Sequence, residues 1–334
     1  MNIREQFEKE EHERLSPYAA FADETRGRSR SEEESDMRTA YQRDRDRIIH
    51  CKSFRRLKHK TQVFLAPYGD HYRTRLTHTL EVSQIARSMA KALRLNEELT
   101  EAIALGHDIG HTPFGHAGER ALARVSGRSF SHHVQSVRVL ERLENGGMGL
   151  NLTHEVLDGV LNHKTSLHPE TLEGNLVRLS DKIAYINHDI DDGIRAGVFT
   201  EEELPKACTD ILGHSTRDRI NTIIHDVIRE SMGKSEAAAS EEVWEALLSL
   251  RKYMFQTLYV NPAVKGEEGK AERIIMILYE YYLEHPEELP EEYRKIAEEE
   301  DQVAAVMDYI AGMTDNYATL RFQELYVPHF WGRV

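Results

Sequence analysis

One short stretch of this sequence concentrates side chains that bind metals and move protons. Within fifteen positions, residues 105–119, lie five such groups: His107, Asp108, His111, His116 and Glu119. Imidazole nitrogens and carboxylate oxygens suit borderline-hard divalent metals. Adjacent residues can bind one ion only where the backbone turns, and Gly106 and Gly110 permit such a turn. The pattern predicts metal-assisted chemistry, with the later three groups moving protons beside a metal-activated water.

A metal site needs ligands from more than one segment, and two distant residues are suited to supply them. His78 lies four residues before Val82 and continues the apolar stripe of a predicted helix. Asp181 lies on a largely apolar helix face, where an unpaired carboxylate is costly to bury, so a metal ion or a salt bridge must explain it. The four predicted ligands, a mixed set that fits Mn²⁺, Fe²⁺, Co²⁺, Ni²⁺ or Mg²⁺, are His78, His107, Asp108 and Asp181.

Helical periodicity dominates the segments that must position these residues. Apolar residues recur at three- and four-residue steps over 76–95, 96–107, 131–143, 153–162 and 174–192. Only residues 61–65 resemble a strand. The last helix is predicted over 303–311, ending at Gly312, and the acidic stretch 285–301 is expected at the surface. The sequence therefore predicts an all-α fold.

Composition sets the class of protein. Of the 334 residues, 40% are hydrophobic and 30% are charged, as in globular proteins, and no run approaches the ~18 apolar residues of a membrane helix. The first ten residues are charged throughout, unlike a secretory signal. The two cysteines, Cys51 and Cys208, make no disulfide framework. We expect a cytoplasmic protein without membrane contact.

Charge and histidine are unevenly distributed. The formal net charge is −14, which argues against a general nucleic-acid coat protein. Residues 43–60 nevertheless hold eight lysines and arginines against two aspartates, a pattern that suits the phosphates of a nucleotide or a nucleic acid. A solvated helix face is the alternative. Twelve of the 18 histidines lie between His50 and His168, which marks the first half as the predicted catalytic half.

Several segments together carry a family resemblance. They are Arg47–His50, Phe54–Leu57, Lys60–Phe64, Thr74–His78, His107–Glu119 and Asp308–Asp315. The order His, His-Asp, distant Asp resembles the HD-domain phosphohydrolases, and the flanking segments resemble the bacterial deoxyguanosinetriphosphate triphosphohydrolase family. That family is all-helical and cleaves deoxynucleoside triphosphates to the deoxynucleoside and inorganic triphosphate. The resemblance implies a charged N-terminal segment (1–42), an HD-domain core (43–232) and a C-terminal helical extension packed on the core (233–334).

The resemblance also implies catalytic roles. Cleavage between the α-phosphate and the sugar makes the 5′ oxygen the leaving group, and an alkoxide leaves poorly without a proton. His116 matches the family's general acid, and Glu119, one helical turn later, would orient it. His111 is expected to bind phosphate, with a second metal site as the alternative.

Substrate contacts follow from the same resemblance. The expected phosphate contacts are Arg75 and Lys182, and His133 is an expected substrate histidine. The expected sugar contacts are Gln62, Tyr185 and Asp189. Tyr185 would stack on the deoxyribose and exclude a 2′ hydroxyl, while core packing is its alternative. His132 competes with His133. For Asp308, Tyr309 and Asp315, fold support is the expected role.

The predicted function is metal-dependent hydrolysis of dGTP or several dNTPs. One alternative is another HD-domain phosphohydrolase, such as a nucleotidase or an alarmone or cyclic-dinucleotide hydrolase. The other is a nucleic-acid- or nucleotide-binding regulator that retains the HD site, which the basic segment 43–60 keeps open. The family resemblance further implies a homo-oligomer and, in some members, an activating nucleotide.

Overall fold

The computed structural model describes residues 1–62, 73–259 and 261–328, with the backbone alone for 262–265. Its α-helices are α1 Ile3–Arg14, α2 Ala40–His50, α3 Lys52–Arg56, α4 Arg75–Leu93, α5 Glu97–Gly106, α6 Gly115–Ser126, α7 His132–Arg138, α8 His154–Asn162, α9 Leu172–Arg195, α10 Lys206–Leu212, α11 Thr216–Ser231, α12 Glu241–Thr257, α13 Pro262–Glu284, α14 Glu291–Glu299, α15 Gln302–Ala311 and α16 Asp315–Tyr326. A π-helical turn, Val139–Leu143, continues α7.

The all-α prediction is confirmed, since the described residues form no sheet. Their only β pairings are two isolated bridges, Arg28 with Thr153 and Thr61 with Thr74. The predicted strand therefore contributes one bridged residue, and its residues 63–65 lie outside the described residues. None of the described helices is both long and apolar enough to cross a membrane.

Two helices at the centre of the fold carry predicted metal ligands. Thr74 caps α4, its hydroxyl accepting from the Thr77 amide, and the helix buries the predicted stripe from His78 through Val82 to Met89. α4 packs on α5 and on the long helix α9. Since all three helices bury apolar faces against each other, their polar residues on those faces are drawn together.

The buried residues form two hydrophobic clusters. The first joins α2, α4, α5, α8, α9 and α12, and the second joins α6, α13, α14, α15 and α16. α6, which carries His116 and Glu119, packs along α13 of the C-terminal extension. The predicted catalytic residues thus lie where the two clusters meet. The division at residues 42 and 232 stays a prediction.

One expectation for the C-terminal part was wrong. The chain does not end its helical structure at Gly312, because Thr314 caps a further helix, α16. The apolar stripe of that helix is short, since only Ala318, Phe322 and Leu325 pack on the second cluster. The acidic stretch 285–301 lies largely at the surface, as expected, and its helix α14 buries Tyr293 and Ile296.

Candidate active site

Four predicted ligands converge from three parts of the fold. His78 lies in the first turn of α4, His107 and Asp108 follow α5, and Asp181 lies midway along α9. The Oδ1 of Asp181 is 3.1 Å from the Nε2 of His78 and 3.9 Å from the Nε2 of His107. The Nε2 of His107 is also 3.7 Å from the Oδ1 of Asp108. Residues separated by 103 positions in sequence therefore share one centre.

The chemistry of this group fits a divalent cation. His107 is fully buried, and its Nδ1 donates to the carbonyl oxygen of Ala104 at 2.6 Å. The Nε2 of His107 consequently presents a lone pair, and it has no hydrogen-bond partner although it faces two carboxylates. Lone pairs that converge in a buried place repel each other unless a cation lies among them. A backbone hydrogen bond of this kind also orients metal-binding histidines in general.

The backbone turns at residues 107–110, as expected from the flanking glycines. Neither Gly106 nor Gly110 has a positive φ, so the turn does not depend on a left-handed backbone at either glycine. A Cβ on Gly110 would lie 2.1 Å from the backbone nitrogen of Ser136, in α7. Gly110 is therefore needed because two backbones approach closely there. This contact holds the His-Asp turn against α7.

Asp108 connects the metal group to Arg75 and His111. Its Oδ2 accepts from Arg75 at 2.9 Å, and its Oδ1 lies 2.9 Å from the Nδ1 of His111, without hydrogen-bond alignment. Burial would raise the pKa of Asp108, but its electrostatic interactions with His111, His107 and Arg75 hold it well below its usual range. Asp108 is therefore a carboxylate. Arg75, which the resemblance implies contacts phosphate, makes this pair through its Nη1, is 2% exposed, and has no hydrogen-bond partner at its Nε.

A second group of side chains surrounds Glu119. Its Oε1 lies 3.0 Å from the Nδ1 of His132, 3.3 Å from the Nδ1 of His116 and 3.4 Å from the Nε2 of His111. Burial would raise the pKa of Glu119, but hydrogen bonds from His116 and His132 outweigh it and lower that pKa. The ligand atoms of these four residues lie within 4.8 Å of one another, so a second cation also fits here.

His116 has the geometry of a proton donor to a bound substrate. Its side chain is 69% exposed, whereas Glu119 behind it is 13% exposed. The imidazole is thus held by a buried carboxylate on one side and open on the other. The expected pair of donor and orienting group is in contact.

The predicted substrate residues of α9 share one side of that helix. The Tyr185 hydroxyl accepts from the Nε of Arg251 at 2.5 Å. Lys182 places its Nζ 4.6 Å above the Trp244 ring. Burial, with repulsion from Arg251 and Arg178, lowers the pKa of Lys182 to about 8.

Gln62 and Asp189 both retain an unused acceptor. The Oε1 of Gln62 and the Oδ1 of Asp189 are buried without a hydrogen-bond partner. The other oxygen of Asp189 accepts from the Tyr259 hydroxyl. Burial raises the pKa of Asp189 to about 7. Two unpaired acceptors of this kind suit a hydroxyl of a ligand.

Of the adjacent histidines, His132 is the one that lies in the Glu119 group. Its ring stacks on that of His111 at 3.8 Å between centroids. The Nδ1 of His133 instead donates to the Leu161 carbonyl at 2.9 Å. The geometry thus favours His132 as the substrate histidine over His133, the residue that the resemblance implied.

Comparison with known proteins places the chain in a family. Residues 75–186 match the HD domain, and residues 237–324 match the phosphohydrolase-associated domain. A deoxyguanosinetriphosphate triphosphohydrolase-like protein of Caldanaerobacter subterraneus subsp. tengcongensis is 56% identical over 331 residues, which cover 99% of this chain and 98% of that protein. A like-named protein of Clostridium perfringens is 51% identical over 339 residues, with 99% of each chain covered. The chain belongs to this family of HD-domain phosphohydrolases.

A solved structure supports the fold alone. A phosphohydrolase of Bacteroides thetaiotaomicron superposes with a TM-score of 0.55 at 17% identity, covering 94% of this chain and 72% of that chain. HD domains are typically metal-dependent, and the ligand group described above fits that property.

Sequence reasoning missed two histidines of the site. His163 ends α8, and its ring lies 5.0 Å from that of His107. Burial and the neighbouring charges of His107 and His132 lower the pKa of His163 to about 3. His188 lies on α9, its ring 5.8 Å from that of His78. The signal for His163 was its spacing of three residues after the buried Val160, which puts it on the inner face of α8.

The basic segment 43–60 is partly neutralised. Arg43 and Arg47 pair with Glu32 at 3.1 and 2.8 Å, and Arg45 pairs with Glu98. Lys60 is buried, and its Nζ donates to the carbonyl oxygens of His111 and Ala311. Three exposed cations have no carboxylate partner among the described residues, namely Lys52, Arg55 and Lys58. A phosphate-binding role for the segment stays a prediction.

Proposed function

We propose that the chain hydrolyses deoxynucleoside triphosphates to the deoxynucleoside and inorganic triphosphate, in a metal-dependent reaction. The observation that carries the proposal is the contact between the two groups through Asp108 and His111. A cation-binding centre and a proton donor backed by a buried carboxylate therefore lie side by side, as attack on phosphorus and protonation of a leaving oxygen both require.

The metal group would be held by His78, His107, Asp108 and Asp181. When bound, the ion lowers the proton affinity of its water and neutralises phosphate charge. Arg75 holds the second oxygen of Asp108 and thereby orients that ligand. The donor set of two imidazoles and two carboxylates is compatible with Mn²⁺, Mg²⁺, Fe²⁺, Co²⁺ or Ni²⁺.

His116 would deliver the proton to the departing 5′ oxygen. Its exposed edge is free to meet the substrate, and Glu119 stabilises the protonated imidazole from behind. His111 would contact a phosphate oxygen, as the resemblance implies, by exchanging the longer of its two carboxylate contacts, the 3.4 Å contact of its Nε2 with Glu119. The ring of His132, stacked on His111, would extend that donor surface.

The sugar would lie against α9. Tyr185, whose hydroxyl is held by Arg251, presents its ring to the deoxyribose and leaves no room for a 2′ hydroxyl. The unpaired oxygens of Gln62 and Asp189 would lie beside the 3′ hydroxyl, which would donate to one of them. Lys182 would contact phosphates, as the family resemblance implies, and His132 rather than His133 would be the substrate histidine of α7.

Other expectations belong to the same proposal. We propose a cytoplasmic homo-oligomer that responds to an activating nucleotide in the manner of some family members. The exposed and unpaired Lys52, Arg55 and Lys58 are the part of the basic segment suited to nucleotide or nucleic-acid phosphates.

The test is a panel of the four dNTPs and their ribose counterparts, alone and in pairs, with Mn²⁺ or Mg²⁺ and with the products separated. We expect release of intact triphosphate from deoxynucleotides but not from ribonucleotides. Orthophosphate or pyrophosphate as the product would favour another HD-domain phosphohydrolase. Hydrolysis that His107→Gln leaves unchanged would contradict the assigned centre, and a regulator that retains the site would hydrolyse none of the panel.

A further inference from the structure

Arg178 is a half-buried cation without a partner among the described residues. It lies on α9 three residues before Asp181, and its guanidinium makes no ion pair or hydrogen bond within the described parts of the chain. Its Nε atom is shielded from solvent. Burial lowers the pKa of Arg178, and no neighbouring carboxylate raises it. Keeping a cation in such a place costs free energy unless an anion joins it.

Arg178 belongs to a row of cations that lacks counter-charge. Lys182 and Arg251 also have no carboxylate ion pair among the described residues, and both arginines lie close enough to Lys182 to repel its ammonium. Lys182 and Arg251 are held by aromatic rings instead, those of Trp244 and Phe255. Among the described residues, Asp181 of the metal group is the only carboxylate that acts on the pKa of Lys182.

A cavity of about 520 Å³ opens beside Arg178. Thr171, Asn175 and Ser235 line it with hydroxyl and amide groups, and none of the four proposed metal ligands does. The cavity lies toward the start of α9, and helical side chains lean in that direction, so the guanidinium points away from the metal centre into this space.

The carboxylates of the cavity do not neutralise Arg178. Glu170 pairs with Arg26, and Glu173 accepts from the backbone amides of Ala20 and Asn96. Glu236 lines the rim and is exposed. Because Arg178 forms no ion pair with any of these three carboxylates, it remains available to bind an anion from solution.

The spacing of residues along α9 indicates which part of the substrate would supply that anion. Residues 178, 181, 185 and 189 share one side of the helix, because their steps are three and four residues. If the sugar lies at Tyr185 and Asp189 and the α-phosphate at Asp181, the β- and γ-phosphates of the substrate extend toward Arg178. The axial rise from Asp181 to Arg178 is roughly 4.5 Å, at ~1.5 Å per residue, which two further phosphates can span.

We infer that Arg178 binds the terminal phosphate of the substrate and of the inorganic triphosphate that leaves, and so selects triphosphates over shorter phosphate chains. This inference rests on the proposed function. Arg178 would bind the phosphate farthest from the sugar, and the cavity would accommodate the departing triphosphate.

The test compares Arg178→Gln and Arg178→Lys with Arg217→Gln in the full-length chain at fixed free metal. Arg217 is an exposed arginine of α11 outside the cavity lining and without a partner among the described residues, so it matches the loss of charge alone. Three quantities are measured: KM and kcat for a dNTP, competitive inhibition by inorganic tripolyphosphate, and hydrolysis of bis(p-nitrophenyl) phosphate, a diester without terminal phosphates.

We expect Arg178→Gln to raise KM for the dNTP and the inhibition constant of tripolyphosphate by about tenfold or more, as loss of a charge-assisted hydrogen bond does. Arg178→Lys should recover part of both, and the loss should not extend to the diester. Unchanged tripolyphosphate inhibition, or equal losses for dNTP and diester, would overturn the assignment.

Failure of the proposed function would look different. A chain that does not release triphosphate from any dNTP can still be titrated with tripolyphosphate by calorimetry, in wild-type and Arg178→Gln forms. Binding that the substitution weakens supports the anion site by itself. Binding that is absent from the wild type, or equal in both, rejects the site whatever the reaction.

Discussion

At the scale of single residues, the site separates two tasks that one imidazole could not perform together. His107 is fully buried with its Nδ1 bonded to a carbonyl, which suits a fixed ligand. His116 is open to solvent with Glu119 behind it, which suits a group that exchanges protons. The types and spacing of these residues predicted metal-assisted chemistry, and the family resemblance implied the general-acid role of His116; both roles stay predictions. The pairing of Arg75 with Asp108 was not readable, because it joins two elements 33 positions apart.

Removal of the proposed general acid should lower kcat more for a substrate with a strongly basic leaving group than for one with a weakly basic leaving group. We expect His116→Ala to lower kcat for a dNTP by roughly 10²–10⁴-fold, the usual contribution of a positioned acid. The loss should be smaller for bis(p-nitrophenyl) phosphate, because a nitrophenolate leaves without a proton. The exposed His214, substituted in the same way, serves as the control. Equal losses for both substrates would argue against proton donation.

Glu173 gives a prediction for stability against pH. It is fully buried, and burial raises its pKa to about 7 despite two backbone hydrogen bonds. The folded state therefore holds the proton more tightly than the unfolded state, and stability is lost as pH rises from about 4.5 to beyond 7. Glu173→Gln retains the acceptor oxygen and removes the penalty. Its melting temperature relative to wild type should be higher at pH 8 than at pH 5, by roughly 2–4 °C per kcal/mol of penalty removed. A pH-independent difference would contradict this account.

At the scale of elements, the C-terminal helices hold the loop that precedes α6. Asp315, at the start of α16, accepts from the backbone nitrogens of Thr61 and Phe114, each at 2.9 Å. Phe114 has φ 61°, a left-handed conformation that costs about 1–2 kcal/mol for such a residue. Lys60 adds bonds to the carbonyls of His111 and Ala311. The expected fold-support role of Asp315 is thus a specific one, the placement of the segment that carries His116.

Loss of this clamp should reduce turnover more than it reduces substrate binding. We expect Asp315→Ala to lower kcat about tenfold with little change in KM, since the donor and its substrate would be misplaced. Asp301→Ala is the matched control, because Asp301 caps α15 in the same extension without touching the catalytic loop. Asp301→Ala should lose about 1 kcal/mol of stability, as a capping residue does. Asp315→Ala should lose about 1–3 kcal/mol, because it leaves the backbone nitrogens of Thr61 and Phe114 without their acceptor. Equal kcat in the two variants would contradict a positioning role.

Comparison of the helices shows why some were predicted from the sequence and α16 was not. Amphipathic stripes predicted α4, α5 and α9 together with the ligands on them. α16 was missed because it buries few residues of its own, and its tie to the core is made by Asp315 across 201 positions. Contacts of this kind depend on the packing of two hydrophobic clusters, which no local pattern encodes.

At the scale of the whole molecule, metal binding should be coupled to folding. The ligands come from α4, the turn after α5, and α9, so the centre exists only in the folded chain. A metal at 100 times its Kd should stabilise the fold by about 2.7 kcal/mol. We expect Mn²⁺ to raise the melting temperature of wild type and a chelator to reverse the rise. His107→Gln should remove most of the effect, and an undiminished rise in that variant would place the metal elsewhere.

The central claim concerns which bond is broken, and hydrolysis of one dNTP in water labelled with the heavy oxygen isotope tests it directly. Mass spectrometry of both products locates the label. The account predicts intact triphosphate carrying one labelled oxygen and an unlabelled deoxynucleoside, because water attacks the α-phosphorus and the 5′ oxygen leaves. Labelled orthophosphate or pyrophosphate, or a label on the deoxynucleoside, would contradict it.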